Sequence, residues 1–411
     1  MIATLSIGDE LMLGEIVDTN APFIATQLYA EGYRVSRHLA VGDDEAAIAA
    51  AIRDLAASHR VIVATGGLGP TEDDVTARAA AQAFGHEMVL REEVLTHIRA
   101  FAARVGRTLH PRNEQQAWLP ATAELVPNPV GTAYGFRLDH GGCSLFVLPG
   151  VPEEMAAMFT ATLLPTLRRL LPSPPVLLTR VLKVIGLPEA EISARVFDLA
   201  GPGIEVAYCV AFPEVQLKLR ATGSDRAGGV EALLDDTVAR VRERLGHALF
   251  AEGEETMDTV VARLFREREM TLALAESCTG GLIAKRITDL PGSSAYFVQG
   301  IVAYANEAKE RLLGVPAELL VNVGAVSREV AEAMAKGARE CAGSDLGLAV
   351  TGVAGPDGGS AEKPVGTVYI ALADADGCRV ERFRFGGNRD KVRIRTAVTA
   401  LDWLRHRLLA R

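Results

Sequence analysis

Through the first 170 positions, short runs of aliphatic and β-branched residues alternate with stretches whose apolar positions recur every three to four residues. The runs at 2–7, 34–39, 60–64 and 144–148 predict strands, and 19–31, 44–58, 76–84 and 92–104 predict helices. Such alternation is the pattern of a parallel sheet covered by helices. The segment Leu171-Pro172-Ser173-Pro174-Pro175 cannot continue a helix and predicts a linker. Beyond it, 176–185 and 214–222 read as strands and 189–200 and 229–245 as helices of a smaller module, closed by a hinge at Glu252-Gly253-Glu254-Glu255. A second α/β pattern follows, with strands at 271–275, 346–351, 366–372 and 378–385. The fold class is therefore α/β multidomain: an α/β domain over 1–170, a small α+β connecting domain over 175–252, and a C-terminal α/β domain over 256–411. No internal repeat relates the two outer domains.

A chain of 411 residues with 49% hydrophobic content is too long for one ordinary core, which agrees with several domains. The net charge of -9 argues against a protein that coats nucleic acid, because that task needs a basic face. The arginine-rich stretch 379–407 reads mostly as the solvated face of a last helix. Cys143, Cys209, Cys278, Cys341 and Cys378 stand singly, without metal-finger spacing, as reduced cytosolic thiols do. The first residues meet Asp9 and Glu10 before an export-length apolar core develops, and no run reaches the length of a membrane span. A cytoplasmic protein with no membrane contact is expected.

The richest chemistry lies at Ala275-Glu276-Ser277-Cys278-Thr279-Gly280-Gly281, between a predicted strand and a predicted helix. A glycine-rich turn opening a helix presents backbone N–H groups and the positive end of the helix dipole to an anion or oxyanion. Ser277 and Thr279 also suit plain helix capping. Downstream, Ser294, Tyr304 and Lys309 come together with Ser277 if 296–304 is a strand beside 271–275. No histidine lies between His247 and His406, so a lysine or tyrosine would have to activate a serine there. Thr351 and Gly352 begin a second glycine-rich turn, and Arg389 introduces the last helix with a guanidinium suited to phosphate.

Three loops of the first domain combine glycines with acids: Gly8-Asp9-Glu10-Leu11, Thr65-Gly66-Gly67-Leu68-Gly69-Pro70-Thr71-Glu72-Asp73-Asp74, and Asn128-Pro129-Val130-Gly131-Thr132-Ala133. The first two follow strands, where open α/β sheets bind ligands. Glycines admit a phosphate, and acids repel one unless a divalent cation stands between. A phosphate ligand handled with Mg²⁺ or a similar hard metal is expected, against the alternative that Asp73 and Asp74 only favour the start of a helix. The spacing of Gly-Gly-Leu-Gly is not that of the dinucleotide fingerprint.

These loops, with Leu148-Pro149-Gly150-Val151-Pro152-Glu153-Glu154-Met155, resemble the molybdopterin-binding-like domain of the CinA (competence- and damage-inducible) family. That resemblance implies hydrolysis of the ADP-ribose pyrophosphate bond, with Glu10, Asp73 and Asp74 as metal or catalytic residues and Thr65, Gly66, Gly67, Gly69, Asn128, Gly131 and Thr132 around the substrate. The family usually has proline after Gly-Thr-Ala, where this chain has Tyr134. Residues 256–411 are similar to the CinA C-terminal domain through Ala-Glu-Ser-Cys-Thr-Gly-Gly, Pro291-Gly292-Ser293-Ser294, Tyr304, Lys309, Gly324-Ala325-Val326-Ser327, Thr351-Gly352-Val353-Ala354-Gly355-Pro356 and Pro364-Val365-Gly366-Thr367-Val368. That similarity implies a nicotinamide mononucleotide deamidase without cofactor. Ser277 is then the nucleophile, Tyr304 and Lys309 manage protons, and Thr279, Gly280, Gly281, Ser294, Thr351, Gly352 and Arg389 bind substrate. A homodimer is implied as well. Cys278 stands as the rival nucleophile. A non-catalytic molybdopterin-like binder, or an adaptor in DNA uptake or repair, is the reading from another class.

Overall fold

A computed structural model describes residues 1–106, 108, 110–172, 174–224 and 229–410; Ser173 of the proline-rich segment lies outside the described residues. The chain divides into two compact units, Met1–Leu178 with Ala221–Ala232, and Thr179–Arg220 with Leu233–Arg411.

The first unit runs β1 (Ile2–Ile7), α1 (Asp9–Met12), α2 (Asn20–Ala30), β2 (Val35–Val41), α3 (Glu45–Ala56), β3 (Val61–Thr65), α4 (Thr76–Phe84), β4 (Met88–Leu90), α5 (Glu92–Arg104), β5 (Trp118–Pro120), β6 (Glu124–Val126), β7 (Gly135–His140), β8 (Cys143–Leu148), α6 (Pro152–Met158) and α7 (Leu164–Leu170). Six strands form one sheet in the order β2-β1-β3-β8-β7-β6. The expected parallel sheet is present in β2, β1, β3 and β8, and two antiparallel strands, β7 and β6, extend it. β6 and β7 contain Glu124, Gly135, Arg137 and Asp139, and residues of these types carry little strand signal. β1 is buried on both faces, as a central parallel strand must be. Ala3, Leu5 and Ile7 join Ile62, Ala64 and the apolar sides of α3 and α4. Ile2 joins Val61, Val63, Phe146 and Leu148 against Ile24 and Leu28 of α2 and Met155 and Met158 of α6. The carboxyl ends of β1, β2, β3, β6 and β8 consequently share one edge.

The middle of the chain contains β9 (Val176–Val184), α8 (Glu189–Val196), β10 (Ile204–Ala211), β11 (Glu214–Gly223), α9 (Glu231–Leu245) and β12 (Leu249–Glu252), with a sheet ordered β10-β11-β9-β12. The remainder comprises α10 (Met257–Arg268), β13 (Leu272–Glu276), α11 (Leu282–Thr288), β14 (Phe297–Val302), α12 (Asn306–Leu313), α13 (Ala317–Asn322), α14 (Arg328–Ala342), β15 (Leu346–Gly352), β16 (Thr367–Ala373), β17 (Cys378–Arg384) and α15 (Arg389–Leu409). Its sheet order is β14-β13-β15-β16-β17, parallel over the first three strands and antiparallel over the last two. One face carries Leu272, Leu274, Leu346, Leu348 and Val350 against α10 and α15. The other carries Ala273, Ala275, Ala349 and Ala371, small enough for α14 to lie close. At Gly347 an added Cβ would overlap the Ala335 carbonyl of that helix. The ends of β13, β14 and β15, the start of β16 and the start of α15 therefore gather at one edge.

Candidate functional site

At the shared strand edge of the first unit lies a cleft of about 430 Å³, lined by Gly8, Glu10, Asp43, Gly66, Gly67, Gly69, Asp73, Asp74, Gln116, Thr132, Gly150 and Glu154 among others. Gly66 and Gly67 have φ of 110° and 65°. A Cβ on either would overlap the Ile7 carbonyl or the Thr76 hydroxyl, so only glycine lets the loop close here. Glu10 folds its carboxylate over Gly8. Asp9 and Asp43 tie the ends of β1 and β2 together, each accepting the other's backbone N–H, at 3.0 and 2.8 Å.

Asp74 accepts the N–H groups of Gly69 (2.6 Å) and Thr71 (2.8 Å) and the Thr71 hydroxyl, so it closes the glycine loop. Asp43, which the sequence reading did not single out, lines the same cleft. Asn128, 1% exposed, likewise shapes its own loop: its Oδ1 accepts from Val130 and Gly131, and its Nδ2 donates to Ala133 O and to Glu154 Oε2 at 2.6 Å. It braces the loop through Val130, Gly131 and Ala133. Thr65, 4% exposed, lines a smaller neighbouring cleft with Glu10 and Gly150. Tyr134 packs its ring edge-on against His97 at 4.9 Å, and His97 Nε2 meets Gly131 O at 2.9 Å.

Among the described residues, five carboxylates and no lysine or arginine line the main cleft. Burial, then the fields of Asp9, Glu10 and Asp73, raise the Asp43 carboxyl above the usual range. Among the described residues no three side chains form a ready metal cage. Carboxylate oxygens are hard donors, and acids gathered this closely repel one another unless a positive charge stands between them.

In the second unit, Ser277 follows β13 and its N–H donates to Val350 O at 3.0 Å. Glu276, 1% exposed, turns its carboxylate onto the first turn of α11 and accepts from Ile283 N (3.1 Å) and Ala284 N (2.8 Å). The helix start that the sequence offered to a ligand is thus already capped from within. Gly280 and Gly281, at φ of 59° and 89°, make the turn possible, and Gly280 N–H donates back to Ser277 O. Arg393 donates through Nε and Nη2 to Thr279 O.

Lys309 is 1% exposed, and its Nζ donates to Ala303 O at 2.9 Å and Tyr304 O at 3.1 Å. Ala303 N–H donates to Glu276 O at 2.9 Å, which places the amine beside the strand end that leads into Ser277. Burial lowers the Lys309 pKa, partly offset by Cys278 and Glu307. Burial also pushes the Cys278 thiol up to about 12. Tyr304 is 60% exposed and its hydroxyl accepts from Arg389 Nη2 at 2.8 Å, while Arg389 Nη1 donates to Gly355 O at 2.7 Å. Thr351, 1% exposed, donates to Ala325 O, and Gly352 passes so close to Thr367 that a Cβ would overlap its carbonyl.

Ser277, Thr279, Gly280, Gly281, Tyr304, Lys309, Thr351, Gly352 and Arg389 therefore share one edge of the sheet. Ser294 does not join them. β14 does lie beside β13, as expected, but parallel to it, with Leu272 opposite Phe297 and Glu276 opposite Val302. Ser294, ahead of β14, sits at the other end, roughly 16 Å away along a five-residue strand. Glu276 and Arg393 were not assigned roles from sequence. Glu276 stands inside the seven-residue motif, and Arg393 lies one helical turn beyond Arg389.

Three family profiles match the chain: "Probable molybdopterin binding domain" over 3–169, "Damage-inducible protein CinA KH domain" over 179–251 and "CinA C-terminal domain" over 254–408. The chain is 60% identical over 410 residues to a CinA-like protein of Geobacter metallireducens, covering 99% of each. It is 44% identical to one of Syntrophus aciditrophicus, covering 100% of this chain and 98% of the relative. Among solved structures, the competence/damage inducible protein CihA of Agrobacterium tumefaciens is 43% identical over 36% of this chain and 93% of its own, with a TM-score of 0.35.

Proposed function

Because the chain belongs to the CinA-like proteins, we propose that it is a two-site hydrolase of pyridine-nucleotide recycling. The C-terminal site converts nicotinamide mononucleotide to nicotinate mononucleotide and ammonia. The N-terminal cleft hydrolyses ADP-ribose to AMP and ribose 5-phosphate with a divalent metal.

The observation that carries the first activity is the environment of Lys309. A protonated amine has three hydrogens and a neutral one has two. Two carbonyls, of Ala303 and Tyr304, hold two hydrogens in place. A buried, neutral amine keeps both bonds and has its lone pair free for the Ser277 proton, and burial favours that neutral form. Ser277 Oγ then bonds to the carboxamide carbon while its proton passes to Lys309, directly or through Tyr304. The C–N bond breaks, ammonia leaves with that proton, and water hydrolyses the acyl ester to restore Ser277. The amides of Thr279 and Gly281 would receive the oxyanion, Gly280 N–H being given to Ser277 O, a contribution of about 3 kcal/mol per donor in acyl transfer. Arg389 would meet the ribose phosphate in exchange for its Tyr304 contact.

In the N-terminal cleft, Glu10, Asp73 and Asp74, with Asp43 beside them, would hold a divalent cation, which when bound neutralises the diphosphate and acidifies a water. The chain's own part is to bring the backbone of the glycine loop close at Gly67 and Leu68, Gly66 and Gly69 being tied to Leu148 O and Asp74, and to fix the carboxylates through Gly8 and the Asp9–Asp43 bonds.

Ammonia release from nicotinamide mononucleotide tests the first site. Ser277→Ala is expected to abolish it with an unchanged circular dichroism spectrum, and retained turnover would remove Ser277 as nucleophile. ADP-ribose cleavage that survives chelation, or that no divalent ion restores, would remove the second claim.

A further inference from the structure

The acidic cleft of the first unit borders a second cavity of about 340 Å³, lined by Phe101, Val105, Val130 and Asn113 among others. Gly131, Thr132 and Glu154 line this second cavity, and Thr132 and Glu154 line the first as well. The chemistry therefore changes in order along one path. It begins with an aromatic and aliphatic wall, reaches a single fixed carboxylate, and ends at a glycine loop among acids. Glu154 is held in place because its Oε2 accepts from the buried Asn128 at 2.6 Å and because Gly131, lacking a Cβ, leaves room for the carboxylate.

We propose that the second cavity is the nucleobase subsite of the N-terminal site, and that Glu154 accepts the hydroxyls of the adjoining ribose. The ligand class is a nucleoside diphosphate, entered with its base against Phe101 and its diphosphate over Gly66–Gly69. The order of groups supports this orientation. A flat base matches the Phe101 ring and the valine wall. A carboxylate opposes a phosphate but accepts from a diol, as acidic residues do in other nucleotide sites. The Asn113 amide offers both a donor and an acceptor to a base edge. The inference rests on the reading of the first cleft as a diphosphate site.

Binding measured by calorimetry with Mg²⁺, using ADP, 2′-deoxy-ADP and inorganic pyrophosphate, tests it. The wild type is expected to bind ADP at least about tenfold more tightly than pyrophosphate. Phe101→Ala is expected to remove most of that preference while pyrophosphate stays within about twofold. Val130→Glu, at an exposed position, should do the same without touching the core. Glu154→Gln keeps an acceptor for Asn128 and should narrow the gap between ADP and 2′-deoxy-ADP. Pyrophosphate binding without preference for ADP overturns this inference alone. Loss of ADP and pyrophosphate together in Val130→Glu also overturns it, because the two cavities would then not be separate subsites. Absence of pyrophosphate binding in the wild type overturns the diphosphate reading beneath it.

Discussion

Cys278 and Ser277 are neighbours and both are buried, and burial pushes the thiol up to about 12. A thiol so placed is not a thiolate at neutral pH and does not compete as a nucleophile. Iodoacetamide at pH 8 should label the exposed Cys209 and Cys341 and spare Cys278, as read by peptide mass mapping, and Cys278→Ala should keep most deamidase activity. Lys309 gives the complementary prediction. Its pKa is lowered in the folded chain, so between that value and the ordinary 10.5 the unfolded chain holds more protons. Stability contributed at this position therefore rises with pH across that window and is least below it. Urea titrations from pH 7 to 10.5 should show the wild type gaining stability relative to Lys309→Met. Lys309→Arg, which keeps its charge at any working pH, should lose at least about a hundredfold in kcat, a typical general-base contribution.

At the scale of elements, α11 is tied to β13 by one buried carboxylate. Glu276→Ala would leave two buried amides of the helix start without acceptors, at a cost of about 2–4 kcal/mol. Glu276→Gln keeps one acceptor and should fall between, as measured by denaturant midpoint. The position of α11 was legible from the 3.6-residue spacing, and β1, β3, β8 and β13 from their uninterrupted apolar runs. What spacing did not carry was direction and partnership. β14 as a strand beside β13 was foreseen conditionally, but whether it runs parallel is decided by the path of the intervening α11, and that choice removes Ser294 from the site. The family resemblance names Asp74 and Asn128 as site residues. Their acceptors are used by loop amides, a local competition that residue type alone does not reveal. Asp43, which lines the same cleft, was not singled out because it follows β2, a strand end distant in sequence from the glycine loops.

At the scale of the molecule, the middle region matches a KH profile, yet its charge is nearly balanced, with nine Lys and Arg against ten Asp and Glu over 179–251. It also has no Gly-x-x-Gly, the loop with which KH domains clamp a nucleic-acid backbone. Fluorescence anisotropy with a labelled single strand at physiological salt should show no binding tighter than about 100 µM, the weak end of non-specific association. The two proposed chemistries belong to different compact units and use different means. One depends on carboxylates that need a cation between them, and the other on a serine and a buried amine with no carboxylate in the reacting set. Chelation should therefore abolish ADP-ribose cleavage and leave ammonia release within about twofold, while Ser277→Ala should do the reverse. Both activities assayed on the same full-length preparation give the comparison. A loss of ammonia release on chelation would mean that a metal serves the Ser277 site too, and a loss of ADP-ribose cleavage in Ser277→Ala would mean that the sites are coupled.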